Sequence, residues 1–248
     1  MNLDFQPLGD TAIRVSFGNE ISKEINQAIR LFTNGLSQNP IYGVIEWIPT
    51  YASLTIFYNP ALIAYKEMLN KLIEIKDHIK ETNLPSAKIY EIPTYYGGET
   101  GPDLAYVAKY NNLTEDEVIS IHTGTDYLIY MIGFVPGFPY LGGMSNKIAT
   151  PRQEKPRTRI PAGSVGIAGE QTGIYPLETP GGWQIIGITP LKLYDQAKER
   201  PILLSVGHYL RFVSVSYHEY LEIKKAVENG NYQVKTYKKE EGMDYVFN

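Results

Sequence analysis

Hydrophobic and polar positions follow two regimes along this chain. Over residues 1–93 the periods are regular. Ala12 to Phe17 alternates as a strand does, with a turn marked by Gly9-Asp10 before it. Ser22 caps a helix in which Ile25, Ile29 and Phe32 recur at helical spacing, and Gly35 marks its end. Val44 to Ile48 and Ser53 to Tyr58 read as strands joined by a turn at Pro49-Thr50-Tyr51. Asn59-Pro60 opens a long helix with Leu62, Tyr65, Leu69, Leu72 and Ile75 on one face. Lys88 to Pro93 reads as a fourth strand. The order β-α-β-β-α-β predicts a ferredoxin-like α+β sandwich over residues 1–93.

The second regime is broken. Tyr95-Tyr96-Gly97-Gly98-Glu99 is a turn, and Asp103 to Tyr110 is a short helix. Thr114-Glu115-Asp116-Glu117 is a capping box that starts a helix reaching about His122. Thr125 to Phe134 is a strand. From Ile132 to Asp195 glycine or proline recurs every few residues, so no long helix survives. Short apolar runs such as Ser164 to Ala168 and Trp183 to Ile188 read as strands, as do Pro190 to Tyr194 and Tyr209 to Val215. A closed or nearly closed β-barrel over residues 94–230 buries that many short strands without leaving edges. Tyr217 to Glu228 is one more helix. Residues 231–248 form a polar tail, expected to be partly disordered from Lys235 onward. No Ser- or Gly-rich linker separates the halves, so two packed domains are expected.

Composition narrows the class. The 248 residues are 43% hydrophobic, enough for real cores. A formal net charge of -4 argues against general nucleic-acid affinity. There is no cysteine, which removes disulfides, thiolate metal sites and a cysteine nucleophile, and fits a cytoplasmic protein. Met1-Asn2-Leu3-Asp4 lacks the pattern of a signal peptide, and no apolar run approaches the ~20 residues that span a bilayer. The 20 tyrosines serve both cores and binding surfaces.

Candidate chemistry gathers in the broken region. Lys147, Arg152, Lys155, Arg157 and Arg159 lie close together with Glu154 as the one acid among them. They read equally as a solvated basic loop or as an anion site; Arg157 and Arg159 share a face if extended, which tilts the balance toward the anion site. His122 closes a helix, where a protonated imidazole would fit, but from spacing alone a simple C-terminal cap is the preferred reading. Ser164 lacks the glycine two positions before it that a nucleophile elbow requires, and no P-loop is present. The four histidines are scattered, so no metal site is expected. His78 sits among Lys76, Asp77 and Lys80 on a solvated helix face. Among the aromatics, Trp183 reads as core, whereas Phe138 and Tyr140, set between breaks, read as displayed.

The long motifs carry a resemblance. Gly133-Phe134-Val135-Pro136-Gly137-Phe138-Pro139-Tyr140-Leu141-Gly142, Pro156-Arg157-Thr158-Arg159-Ile160-Pro161-Ala162-Gly163-Ser164-Val165-Gly166, Gln171-Thr172-Gly173-Ile174-Tyr175-Pro176 and Pro180-Gly181-Gly182-Trp183-Gln184 resemble the KipI / allophanate hydrolase subunit 1 family. Pro7-Leu8-Gly9-Asp10 and Gly101-Pro102-Asp103-Leu104 match as well. The resemblance implies a cyclophilin-like barrel for the second half. It implies a subunit of ATP-dependent 5-oxoprolinase, working with an allophanate hydrolase subunit 2-type partner (PxpC) and a PxpA-type subunit, with ATP bound alongside the partners and Mg2+ arriving with the nucleotide. It equally implies a KipI-type inhibitor that binds a sensor histidine kinase. A biotin-dependent carboxyltransferase is a third reading. For the enzyme, Arg157 and Arg159 are expected to hold the substrate carboxylate or a phosphate and His122 to shuttle a proton. Phe138, Tyr140, Arg152, Gln171, Thr172 and Tyr175 are expected to line the substrate site.

Overall fold

The computed structural model of the protein describes residues 3–78 and 86–239. The chain divides into two compact units, Met1–Ser86 and Ala87–Asn248.

The first unit is one antiparallel sheet with two helices. Its strands are β1 (Asp4–Pro7), β2 (Ala12–Ser16), β3 (Val44–Pro49) and β4 (Ser53–Tyr58), in the order β1-β2-β4-β3. Helices α1 (Lys23–Gln38) and α2 (Tyr65–His78) complete it. Ser22 caps α1 through its hydroxyl, which accepts from the Ile25 N–H at 3.2 Å. Ile25, Ile29, Phe32 and Leu36 then fall on one buried face, against Ile13, Val15, Leu54 and Ile56 of the sheet. Each fully buried side chain of this size contributes about 1.5–3 kcal/mol.

Two expectations fail here. Pro60 does not begin the second helix. The Asn59 carbonyl accepts from the N–H groups of Leu62 and Ile63, and its side chain accepts from that of Ala61, so residues 59–64 form turns and α2 starts at Tyr65. Leu62 is accordingly exposed while Ile63 is buried. The fourth strand of the expected β-α-β-β-α-β order does not join this sheet either. Its place is taken at the edge by β1, whose Phe5 packs on the core. His78 is exposed and its Nδ1–H donates to the Glu74 carbonyl at 2.7 Å; Lys80 lies outside the described residues.

The missing strand, β5 (Lys88–Tyr96), is central to the second unit. The unit also contains α3 (Leu104–Tyr110), α4 (Glu115–Thr123), β6 (Tyr127–Ile132), β7 (Pro139–Gly142), β8 (Arg157–Ile160), β9 (Ser164–Ala168) and β10 (Gln171–Ile174). It ends with β11 (Thr179–Gly181), β12 (Gln184–Ile188), β13 (Tyr209–Ser214), α5 (Tyr217–Glu228) and β14 (Thr236–Lys238). The main sheet runs β10-β9-β12-β5-β13-β6-β7, with β14 also on β5. The end strands β7 and β10 lie against each other, so the sheet is a nearly closed barrel. β5 runs parallel to β13, from Ile89 opposite Tyr209 to Thr94 opposite Ser214. Its other edge pairs β14 through residues 88–90 and β12 through Tyr95 and Tyr96. β8 and β11 form a separate two-stranded ribbon.

The barrel core includes Ile92, Tyr127, Val165, Ile167, Ile186, Leu210 and Phe212. Thr114 caps α4 in a full capping box with Glu117, as the sequence indicates. Pro190 to Tyr194 is not a strand; only a single bridge joins Tyr194 to Ile202. The tail is ordered further than expected. β14 carries the chain back along β5, and the Lys239 ammonium reaches Asp126 Oδ2 at 3.0 Å, where Arg211 Nε holds Oδ1 at 2.7 Å. Burial raises the Asp126 pKa, but the hydrogen bonds from Arg211 and Lys239 outweigh it and the net direction is downward. Residues 240–248 of the tail lie outside the described residues.

Candidate functional site

Glycine and proline in residues 133–184 shape a single aromatic cluster. Phe138, Tyr175, Ile160 and Ile185 are buried together, with Val135, Tyr140 and Trp183 packed on them. The Phe138 ring meets Tyr140, Tyr175 and Trp183 edge to face at 5.5–5.7 Å. Gly173 makes this possible: a Cβ there would stand 3.1 Å from the Trp183 ring and 3.4 Å from Phe138. Gly181 does the same for Tyr175, whose hydroxyl occupies the space a side chain would need.

The loop beside this cluster is fastened by Asp103. Its Oδ1 accepts from Arg157 Nη2 at 2.7 Å and from Gln153 Nε2 at 3.2 Å, and its Oδ2 accepts from the Ile185 N–H at 2.6 Å. Arg157 Nη1 also reaches the Trp183 carbonyl at 3.4 Å. Gln184 Nε2 donates to the Pro151 carbonyl at 2.8 Å, and the Gln153 N–H to that of Gly182 at 2.7 Å. One carboxylate thus ties the residue preceding α3, the arginine loop and β12. Sequence reasoning read Asp103 only as a helix start. Its position directly after Gly101-Pro102, in a motif shared with the family, was the available signal. A Cβ on Gly101 would overlap the Ile186 carbonyl, so that glycine lets Asp103 come close to β12.

The arginines therefore separate. Arg157 is engaged by Asp103. Arg159 forms a surface pair with Glu178 at 2.7 Å and is three-quarters exposed. The expected Arg157–Arg159 clamp is not assembled, because each guanidinium has its own carboxylate. Arg152 is exposed, and among the described residues no carboxylate lies within ion-pair distance of it. Its charge acts on Tyr175, whose hydroxyl is pushed up to about 12 by burial, offset in part by Arg152, a backbone hydrogen bond at Trp183 and Arg157. Tyr175 therefore stays an O–H donor at neutral pH. Arg152 presents an exposed cation, while Tyr175 is packed inside the apolar cluster with its hydroxyl neutral.

His122 lies elsewhere. It is fully buried, within 4.3 Å of the Phe212 ring centroid. Thr172 Oγ1 donates its proton to the Gly166 carbonyl at 3.0 Å, so its oxygen accepts from His122 Nε2–H at 2.8 Å. Nδ1 is then the acceptor for the Tyr96 hydroxyl at 2.7 Å. Burial lowers the His122 pKa to about 3 and raises that of Tyr96. The simple cap preferred from the sequence does not form, since both ring nitrogens are taken by Tyr96 and Thr172, and desolvation outweighs the helix dipole in keeping the imidazole neutral. Thr172 is consumed in the same chain and faces the core, while Gln171, next to it on β10, points to the opposite face. Phe138, expected to be displayed, is buried at 4% exposure, and Phe134 carries the exposed ring instead. Tyr140 is half-buried, and Trp183 caps the cluster from its rim.

Among the described residues no group of three or more His, Asp or Glu side chains is placed to hold a metal, and no helix is long and apolar enough to cross a membrane. A cleft of about 670 Å³ in the first unit, between the end of α1 and α2, is lined by Tyr42, Glu67, Lys71, Glu74 and His78. These are solvated side chains of mixed sign, and none belongs to the motifs, so the aromatic and arginine cluster is the better candidate.

Residues 3–204 match the family described as carboxyltransferase domain, subdomain C and D. The chain belongs to that family. It is 46% identical over 230 residues to a 5-oxoprolinase subunit of Bacillus subtilis, covering 88% of this chain and 96% of that protein. It is 41% identical to the corresponding 5-oxoprolinase subunit of Escherichia coli O157:H7, covering 83% and 93% respectively. Among solved structures, TTHA0988 superposes with a TM-score of 0.72 at 35% identity, covering 83% of this chain. The chain spans only 40% of the TTHA0988 polypeptide. These findings bear out the resemblance carried by the motifs of residues 133–184.

Proposed function

We propose that this chain is one subunit of an ATP-dependent 5-oxoprolinase, acting with a PxpC-type and a PxpA-type subunit. The observation that carries this is the 46% identity to a protein named as a 5-oxoprolinase subunit, across nearly the full length of both chains.

The reaction explains why such a site would serve. A lactam is a poor electrophile. Transfer of the ATP γ-phosphoryl group to the lactam oxygen creates a leaving group. Water then adds to that carbon and the C–N bond breaks as the nitrogen takes a proton, leaving an acyl phosphate; a second water hydrolyses that acyl phosphate, releasing phosphate and glutamate. Charge develops on oxygens throughout, so preorganised donors matter more than a nucleophile. In this reading Arg152 grips the carboxylate or a phosphate oxygen through its planar fork, and the buried Tyr175 ring supports the wall behind the site. Phe138, Tyr140 and Trp183 form the apolar wall that limits water. Arg157 acts through Asp103 by holding the loop in place. ATP and its Mg2+ are placed with the partner subunits.

The test is reconstitution from three purified subunits. ATP-dependent glutamate release is expected from the mixture and from none of the subunits singly. Turnover by this chain alone, or none by the complete mixture, would overturn the reading.

A further inference from the structure

The loop joining β6 to β7 holds its most exposed aromatic residue in a backbone conformation that suits glycine. Phe134 has φ +64°. The Val135 N–H donates back to the Gly133 carbonyl at 2.7 Å, closing a three-residue γ-turn with Phe134 at its centre. Two further bonds lock the loop: Gly133 N–H to the Phe138 carbonyl and Phe138 N–H to the Val135 carbonyl, both at 3.1 Å. A bulky side chain at positive φ is a genuine outlier, disfavoured against glycine. Glycine stands at both Gly133 and Gly137, the latter at φ +85°, yet the central position is phenylalanine. Its ring is 69% exposed. It leans edge-on against buried Phe138 at 5.7 Å and 80°, so its direction is set by the aromatic cluster.

Strain held in place at an apolar, solvent-facing side chain points to a contact made outside the chain. The side chain is a single rigid ring on a locked turn, so little entropy is lost when it is enclosed, as at interface anchors. We infer that Phe134 is the knob by which this chain docks into an apolar pocket of a second, larger polypeptide. The occupant is a protein because the same module forms only two fifths of the TTHA0988 polypeptide, where it is joined to a longer stretch of chain. Phe138, on which Phe134 leans, also meets buried Tyr175, so Phe134 is the outward-facing member of the cluster.

This inference rests on the subunit reading above, and the experiment separates the two. The probe is the purified PxpC-type protein of the same genome, titrated against the full chain by calorimetry. Wild type is expected to bind, and Phe134→Ala and Phe134→Gly to bind about tenfold more weakly or worse. Phe134→Gly is expected to melt at the same temperature as wild type or higher, because glycine adopts φ +64° freely. Equal binding by wild type and both variants would overturn the docking inference and leave the subunit reading intact. A raised KM for 5-oxoproline with unchanged binding would assign the ring to the substrate site and also overturn it. No binding by wild type would overturn both.

Discussion

The Tyr96 hydroxyl donates to His122 Nδ1 at 2.7 Å, joining β5 to α4 inside the barrel. Both groups are buried and both are neutral, and the imidazole passes the chain on to Thr172. A satisfied buried network of this kind specifies one packing, since losing any member strands the others.

The first prediction concerns pH. The folded His122 pKa is about 3, whereas an unfolded histidine titrates near 6.5. Below pH 6.5 the unfolded chain therefore binds a proton that the folded chain refuses, and stability falls as pH falls. The slope is about 1.36 kcal/mol per unit, or about 2 kcal/mol lost by pH 5. Chemical denaturation of wild type and His122→Gln at pH 8 and pH 5 checks this. The gap between the two proteins should narrow by about 2 kcal/mol on acidification; a constant gap would show that His122 is not the group responsible.

A second prediction separates the arginines in the reconstituted enzyme. A charged hydrogen bond contributes roughly 1.5–3 kcal/mol. Arg152→Ala should thus lower kcat/KM about 10- to 150-fold with its melting temperature unchanged. Arg152→Lys should recover part of the loss. Arg159→Ala removes an exposed pair worth about 0–1 kcal/mol and should leave both activity and melting nearly unchanged. Steady-state kinetics that showed the reverse ranking would return the anion site to Arg159.

The third prediction tests the loop tie. Asp103→Ala leaves the Ile185 N–H, buried at 2.6 Å from Oδ2, without its acceptor. That should cost about 1–3 kcal/mol by denaturant titration. Arg157→Ala should lower stability and activity together, unlike Arg152→Ala. A normal melting temperature with lost turnover in Arg157→Ala would instead make Arg157 a ligand-binding residue.

The fourth prediction concerns the tail. Lys239 inserts its ammonium, 14% exposed, beside an Asp126 side chain that is 6% exposed. Lys239→Met keeps most of the stem but removes the charge, and should destabilise the second unit by about 1–3 kcal/mol. Hydrogen exchange should speed up along β14 and at the β5 amides facing it. Unaltered exchange there would show that Lys239 does not hold the strand.

Much of this protein was legible in local pattern. Alternation delimited β4 from Ser53 to Tyr58, and helical spacing picked out Ile25, Ile29 and Phe32 as the buried face of α1. Turn residues announced the short strands of the barrel, and the aromatic and arginine motifs marked the family and the region of the candidate site. These features depend on neighbours a few residues apart, and periodicity reports them directly.

Tertiary structure decided what periodicity does not encode. Residues 88–93 read as a strand in any context, but their sheet was set by pairing with β13, 120 residues on. A strand's alternation says which face is apolar and nothing about which edge it will meet. The polar tail found a place because β5 had an open edge and Asp126 an open lone pair. Most plainly, Arg152 and Arg157 are the same residue five positions apart. The fold brings the Asp103 carboxylate, 54 residues earlier, against Arg157 and, among the described residues, sets none within ion-pair distance of Arg152. The charge of a side chain is written in its sequence, but whether that charge is already neutralised depends on which distant group the packed chain sets beside it.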